Sequence, residues 1–308
     1  MIVAGCPSAI KRPATRMRIL FAIPHYFSGS AAAAYGSERG ATEMRARIIR
    51  LCIASLHQSF AESQGLLDGR KKWIHQANQD LSATIAIALC TTGDNHLVSQ
   101  LGDCDFTHIN TNAEPRLLGF ECQNVLRDNL GDYDYYVYLE DDLRITDALF
   151  FMKLAWFNAR FGDEAILQPN RFELSAGPQA CKIYIDGNLR DPTISPALQR
   201  IHEHSRLEAE VLGASLAFER VDNPHSGCFF LNAAQLAYWA AQPDFAVPSS
   251  RFWGPLESAA TLGIMQNFRA YKAARENAAF LEVEHLDRRY LGRTIHPVAG
   301  RPVTGQWT

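Results

Sequence analysis

Residues 132–143 constrain this chain more than any other stretch. Tyr135, Tyr136, Val137, Tyr138 and Leu139 form an unbroken aromatic and β-branched run, which predicts a central strand buried on both faces. Three consecutive acids follow: Glu140, Asp141 and Asp142. Burying three carboxylates together is costly unless something cationic compensates. In an open α/β sheet, ligands bind beyond the carboxyl ends of the strands. Acids placed there suit a divalent cation that takes oxygen ligands. Such a cation can bridge two phosphates of a nucleotide and stabilise charge as they leave. Acids after a strand also solvate loops or cap helices, as Asp147 would do for the segment that follows. The depth of the preceding strand favours the site.

The flanking sequence predicts where that strand sits. Residues 18–23 are a short apolar run closed by Pro24, a buried strand. Met44, Ile48, Leu51, Ile53 and Leu56 have helical spacing and predict a helix over 37–60, with Ser37 or Thr42 as cap. Strands are expected over 81–89 and 106–110, and a helix over 115–130. This alternation demands a parallel sheet with helices on both faces, an α/β fold. Beyond the acids the pattern is less regular. It predicts a helix from Asp147 to about 160, a strand over 165–168, weaker strands at 172–173 and 182–185, and a polar helix over 201–212. A buried strand over 227–231, helices over 233–241 and 255–266, and a loop or tail from Tyr290 complete the reading. No linker or repeat interrupts it, so one domain with two halves is expected: 17–143 for a nucleotide and 144–290 for a second substrate.

Composition narrows the function class. A net charge of −3 over 308 residues argues against a nucleic-acid partner. The seven cysteines are scattered without a C-x-x-C pair, which reads as reduced thiols in a cytoplasmic protein. No run approaches the roughly 20 apolar residues of a membrane helix. Residues 1–16 faintly imitate a signal peptide. They are read instead as an extension before a natural start at Met17, with 291–308 as its C-terminal counterpart.

The segment YYVYLEDDL resembles the metal-binding D-x-D region of GT-A glycosyltransferases, in an E-D-D form. The order around it is similar too. A first strand ends in the loop Ile23-Pro24-His25-Tyr26, a Gly-plus-aromatic strand follows at Ser226–Leu231, and an acid opens a helix at Trp253-Gly254-Pro255-Leu256-Glu257. The resemblance spans about 17–290 and implies a GT-A type sheet and Mn2+ or Mg2+ as cofactor. It also implies transfer of a sugar from a nucleotide diphosphate donor to a sugar, lipid-linked or protein acceptor, with inversion and with peripheral membrane contact left open. Asp142 would hold the metal, joined by His285, with His296 as rival. Glu140 and Asp141 would meet metal-bound water, ribose or sugar. Glu257 would be the general base. Pro24, His25 and Tyr26 would face the base or ribose, and Arg116 the diphosphate. Asn223, His225 and Trp253 are acceptor-side candidates.

Each has a plainer reading: a helix N-terminal acid for Glu257, an ordinary histidine for His285, a solvated Arg116, a packed Tyr26 and a buried Trp253. A nucleotidyltransferase-like nucleotide-sugar enzyme would use the same acids, and a non-catalytic carbohydrate- or nucleotide-binding relative would keep the fold alone. Competing motifs fail on spacing. His202-Glu203-His204 is not H-E-x-x-H, 36–40 is no phosphate loop, and no G-x-S-x-G occurs.

Overall fold

A computed structural model describes residues 16–29, 41–175, 182–189 and 191–291. In chain order these form β1 (Arg18–Pro24), α1 (Thr42–Phe60), β2 (Gly65–Asp68), β3 (Trp73–Gln76), β4 (Thr84–Thr92), β5 (Thr107–Thr111), α2 (Leu118–Asp128), β6 (Tyr135–Leu139), β7 (Leu143–Arg144) and α3 (Phe150–Phe161). There follow β8 (Ala165–Gln168), β9 (Asn170–Leu174), β10 (Lys182–Tyr184), α4 (Ile194–Leu198), β11 (Arg206–Val211), β12 (Ala214–Arg220), β13 (Cys228–Asn232), α5 (Ala233–Ala240), α6 (Pro255–Asn267), β14 (Arg269–Ala273) and β15 (Glu282–His285).

The central sheet runs β13-β6-β1-β4-β5. Its neighbours pair in parallel except β13, which lies antiparallel on β6. The fold is therefore mixed α/β with a parallel-rich core, as the alternation requires. Strand periodicity divides the core cleanly. Ile19, Phe21 and Ile23 of β1, with Tyr135, Val137 and Leu139 of β6, pack under α1 and α3. Leu20, Ala22, Tyr136 and Tyr138 face α2, α5 and α6. Both faces are covered, which is why β6 carries no charged side chain.

Two further sheets, β10-β9-β15-β7 and β11-β12-β14-β8, flank the centre. The two-residue β7 matters most. It leaves the acid triplet directly and pairs antiparallel with β15, Leu143 opposite His285. β15 in turn lies parallel to β9. Residues more than a hundred positions apart are thereby set beside Asp142.

Several expectations need correction. The polar helix over 201–212 is instead a turn leading into β11, where Arg206, Glu208 and Glu210 alternate with Leu207, Ala209 and Val211. That period of 2 won over polarity. Asp147 does not open α3. It folds a turn whose carboxylate accepts from Leu149 N, and the helix begins at Phe150. The hairpin β2–β3 and strands β14 and β15 went unforeseen, the last two because charged residues break their apolar pattern. α1 begins at Thr42, and the proposed Ser37 cap lies outside the described residues, as do His296 and most of both terminal extensions. The five cysteines among the described residues are free thiols. No helix among them is long and apolar enough to cross a membrane.

Candidate active site

From β1 the chain builds outward to β4 and β5 on one side, and to β6 and β13 on the other. The strand order thus reverses between β1 and β6, and at such a reversal the loops diverge and leave a crevice beyond the strands' carboxyl ends. His25 follows β1 and Glu140 follows β6. The two loops are joined across the crevice by a 2.7 Å hydrogen bond between His25 Nδ1 and Asp141 Oδ2. The backbone N–H of Leu97 donates to His25 Nε2 at 2.9 Å. An N–H can only donate, so the ring's proton sits on Nδ1 and is given to Asp141. The other oxygen of Asp141 accepts from Arg45, which is buried in the first turn of α1. Burial pushes the Asp141 carboxyl up, but Arg45 and His25 outweigh it and hold it below 3.8. Both oxygens of Asp141 are engaged, and its geometry is that of a brace between α1, β1 and β6.

Asp142 is different. It is buried, and its Oδ1 has no hydrogen-bond partner within the protein. Its Oδ2 is 3.6 Å from Arg45 Nη1 and 3.7 Å from His285 Nε2. The Nδ1 of His285 is hydrogen bonded to Glu173 Oε1 at 2.7 Å. Burial works against a charged His285, yet Asp142 and the bond to Glu173 overcome it and raise its pKa above 6.5. Glu173 is held in turn by the backbone N–H groups of Tyr290 and Leu291. A carboxylate behind a histidine whose other nitrogen faces an acid is how metal-ligating histidines are oriented. Among the described residues no three His, Cys, Asp or Glu side chains converge to hold a metal unaided. The pair Asp142 and His285, with the orphaned Oδ1, fits a cation that completes its shell with water and phosphate oxygens.

Glu140 turns back over the chain. A Cβ on Gly227 would stand 2.3 Å from its Oε2 and push that carboxylate aside, and Gly227 has φ +64, a conformation that favours glycine. Burial drives the Glu140 pKa up to about 8, against the pull of Arg171, whose Nη1 is 3.5 Å away. Arg171 itself donates twice to one oxygen, Asp186 Oδ1, from Nη2 at 2.8 Å and Nε at 3.2 Å. Lys272 reaches the other Asp186 oxygen at 3.3 Å and the His225 carbonyl at 2.7 Å. Although burial opposes ionisation of Asp186, these two cations bring it down to about 2. A buried chain of charge thus underlies the site from β9 to β14.

Glu257 lies in the first turn of α6, half-buried, with Oε2 shielded from solvent and unpartnered. Its charge is felt by Glu140 and Tyr138, so it stands within electrostatic reach of the end of β6. Trp253 is 58% exposed and adopts φ +66, a conformation rarely taken by a bulky residue. The buried-tryptophan reading is therefore wrong. His225 is buried, with Nδ1 2.8 Å from Thr261 Oγ1, and burial with the charge of Arg171 lowers its pKa to about 3, so it is neutral. Asn223 donates to the carbonyl of Gly187 at 3.0 Å. Pro24 pairs with Cys90 at the end of β1 and Tyr26 is half-buried. Arg116 is exposed on the short 3-10 turn Pro115–Leu117, on the α6 side.

Sequence reasoning missed Arg45, Arg171, Glu173, Asp186 and Lys272. One signal existed for Arg45, a charged residue next to Ala46 on the apolar face of a predicted helix. The others sit in segments whose pairing could not be read locally.

No family model and no curated protein matches the sequence. Among solved structures the chain is similar to GalNAc-T7 with UDP, GalNAc and Mn2+, at TM-score 0.45 and 10% identity over 88% of this chain and 44% of that one. It is also similar to S. aureus TarS (TM-score 0.43, 7% identity, 87% and 36% covered) and to TarS 1-349 (0.42, 9%, 88% and 61%). Both proteins are glycosyltransferases. The chain spans less than two thirds of each of these structures. At this level of likeness, function has to be read from the residues themselves.

Proposed function

We propose that the chain transfers a sugar from a nucleotide diphosphate sugar to a hydroxyl acceptor, with a divalent cation at Asp142 and His285. One observation carries this reading. A buried carboxylate oxygen, Asp142 Oδ1, lacks a partner at the reversal point of the sheet, beside a histidine already oriented by Glu173. A buried unpaired carboxylate oxygen is costly in isolation, and a cation removes that cost. When bound, the cation would neutralise the diphosphate as it departs. Mn2+ or Mg2+ would serve, since both take carboxylate and water oxygens.

The remaining roles follow from position. His25 and Arg45 hold Asp141, and through it the loop bearing Asp142, at the geometry the donor needs. Pro24 and Tyr26 line the first-strand exit where base and ribose would rest, and Arg116 would serve the phosphates. Glu257 would take the acceptor proton as the hydroxyl attacks, giving inversion. Trp253, strained and exposed, offers an apolar ring face to an acceptor sugar. Residues 17–143 would thus supply the donor half and 144–290 the acceptor half.

The deciding experiment follows thermal unfolding with UDP, GDP and CDP, each with and without Mn2+. A ligand at 100 times its Kd stabilises the fold by about 2.7 kcal/mol. Stabilisation by one nucleotide that requires metal is expected. Equal stabilisation with metal chelated, or none with any nucleotide, would sink the proposal.

A further inference from the structure

The hairpin β2–β3 stands apart from every other sheet among the described residues. Leu66, Leu67, Trp73 and Ile74 are each 67–75% exposed. The register pairs Leu67 with Ile74 and Leu66 with His75. Cross-strand partners share a face and neighbours alternate, so Leu67 and Ile74 lie on one face, and Leu66 and Trp73 on the other. Large apolar side chains therefore meet solvent on both faces of one small ribbon. Its tip is Gly69-Arg70-Lys71-Lys72. Asp68 Oδ1 accepts from the backbone N–H groups of Arg70 and Lys71, at 2.9 and 3.1 Å, which fixes the tip and occupies the one acid present. The base is stapled by Ala77 N to Gln64 O at 2.9 Å and by Asn78 to Gln64.

We propose that this hairpin is a docking element for an anionic lipid surface. Three features select that occupant over a second protein. Apolar groups on both faces of a ribbon with free edges are buried together when its tip enters an apolar medium, whereas docking on a flat protein surface covers one face. The hairpin carries a net +2, three basic residues against Asp68, in a chain whose total is −3. That segregated charge complements a negative headgroup layer. Finally, residues 65–76 fall short of the roughly 20–30 residues per side of a stable protein interface, while an interfacial aromatic, a few aliphatics and adjacent Lys and Arg suffice for reversible membrane attachment.

The hairpin lies between the end of α1 and the start of β4, at the edge where the parallel strands begin. The candidate active site lies at the opposite edge. Docking would tether the chain while leaving that site open to the aqueous side, and the inference stands whether or not the proposed reaction is correct.

The test is sedimentation of the full chain with phosphatidylcholine vesicles, with and without phosphatidylserine, at low and high salt. Binding is expected only with phosphatidylserine, weakening as salt rises. It should fall at least tenfold in Arg70→Glu/Lys71→Glu and in Leu67→Ser/Ile74→Ser, with melting temperatures unchanged. Should a variant fold poorly, quenching of the wild-type tryptophan emission by brominated acyl chains decides, with Trp73→Phe removing the quench. Equal binding to both vesicle types, or to neither, overturns the proposal. So does a concentration-dependent dimer that the hairpin variants dissolve, which would assign the ribbon to a second copy of this chain.

Discussion

His285 Nε2 stands 3.7 Å from Asp142 Oδ2, while the opposite ring nitrogen is tied to Glu173. The contact depends on the pairing of β7 with β15 and on the bond from Leu286 N to Asp142 O at 2.9 Å. Asp142→Asn keeps the shape and removes the charge. It should leave the fold intact and abolish metal-dependent stabilisation by nucleotide, measured by thermal unfolding. Because His285 is held above 6.5, protons compete with the cation for it, and nucleotide stabilisation by Mn2+ should be weaker at pH 6 than at pH 8. A pH-independent metal effect would remove His285 from the site.

The adjacent acid should behave in the opposite way. Asp141 is buried and bonded to both His25 and Arg45. Asp141→Ala leaves the Arg45 charge buried with only the more distant Asp142 beside it, and breaking a buried pair from one side costs about 3–5 kcal/mol. Urea unfolding should show that loss for Asp141→Ala and little change for Asp142→Asn. The sign of the pH effect follows from a depressed carboxyl. Its contribution is present above the unfolded value of 3.8 and disappears as pH falls through the lower folded value.

This contrast marks the limit of what the sequence made legible. The strand Tyr135–Leu139, its burial and the acids at its end follow from local composition, because a strand covered on both faces has no place for charged side chains. The first half of the sheet follows from strand–helix alternation. Which of three neighbouring acids is braced and which is open does not follow, since it depends on Arg45 and His285, brought in by elements far along the chain. The charge chain of Arg171, Asp186 and Lys272 was illegible for the same reason. Each charge looks solvated in its own segment, and the sheets β10-β9-β15-β7 and β11-β12-β14-β8 bury them together.

Glu140 gives a second pH signature. Its pKa is raised by burial from 4.5 to about 8. The native state therefore keeps a proton that the unfolded chain has already lost, and stability should decline as pH rises from about 4.5 to about 8. One such proton corresponds to at most about 1.4 kcal/mol per pH unit. Glu140→Gln should flatten that part of the profile in urea unfolding without metal. An unchanged slope would show that Glu140 is ionised throughout.

Glu257 separates a transferase from a binding protein. Its shielded Oε2 has no partner, and from the first turn of α6 its charge reaches Glu140. A base acts only on the attacking hydroxyl, so it contributes to the transition state and little to donor affinity. Glu257→Gln should leave the nucleotide-induced melting shift in place and lower kcat by about 10²–10⁴. If Glu257 is merely an acid favouring the helix N-terminus, the same substitution should cost about 0.3–1 kcal/mol of stability and leave turnover alone. Measuring both quantities on one variant distinguishes the two roles: a drop in turnover with the melting shift retained assigns Glu257 to the reaction, and unchanged turnover with a lower melting temperature assigns it to the helix.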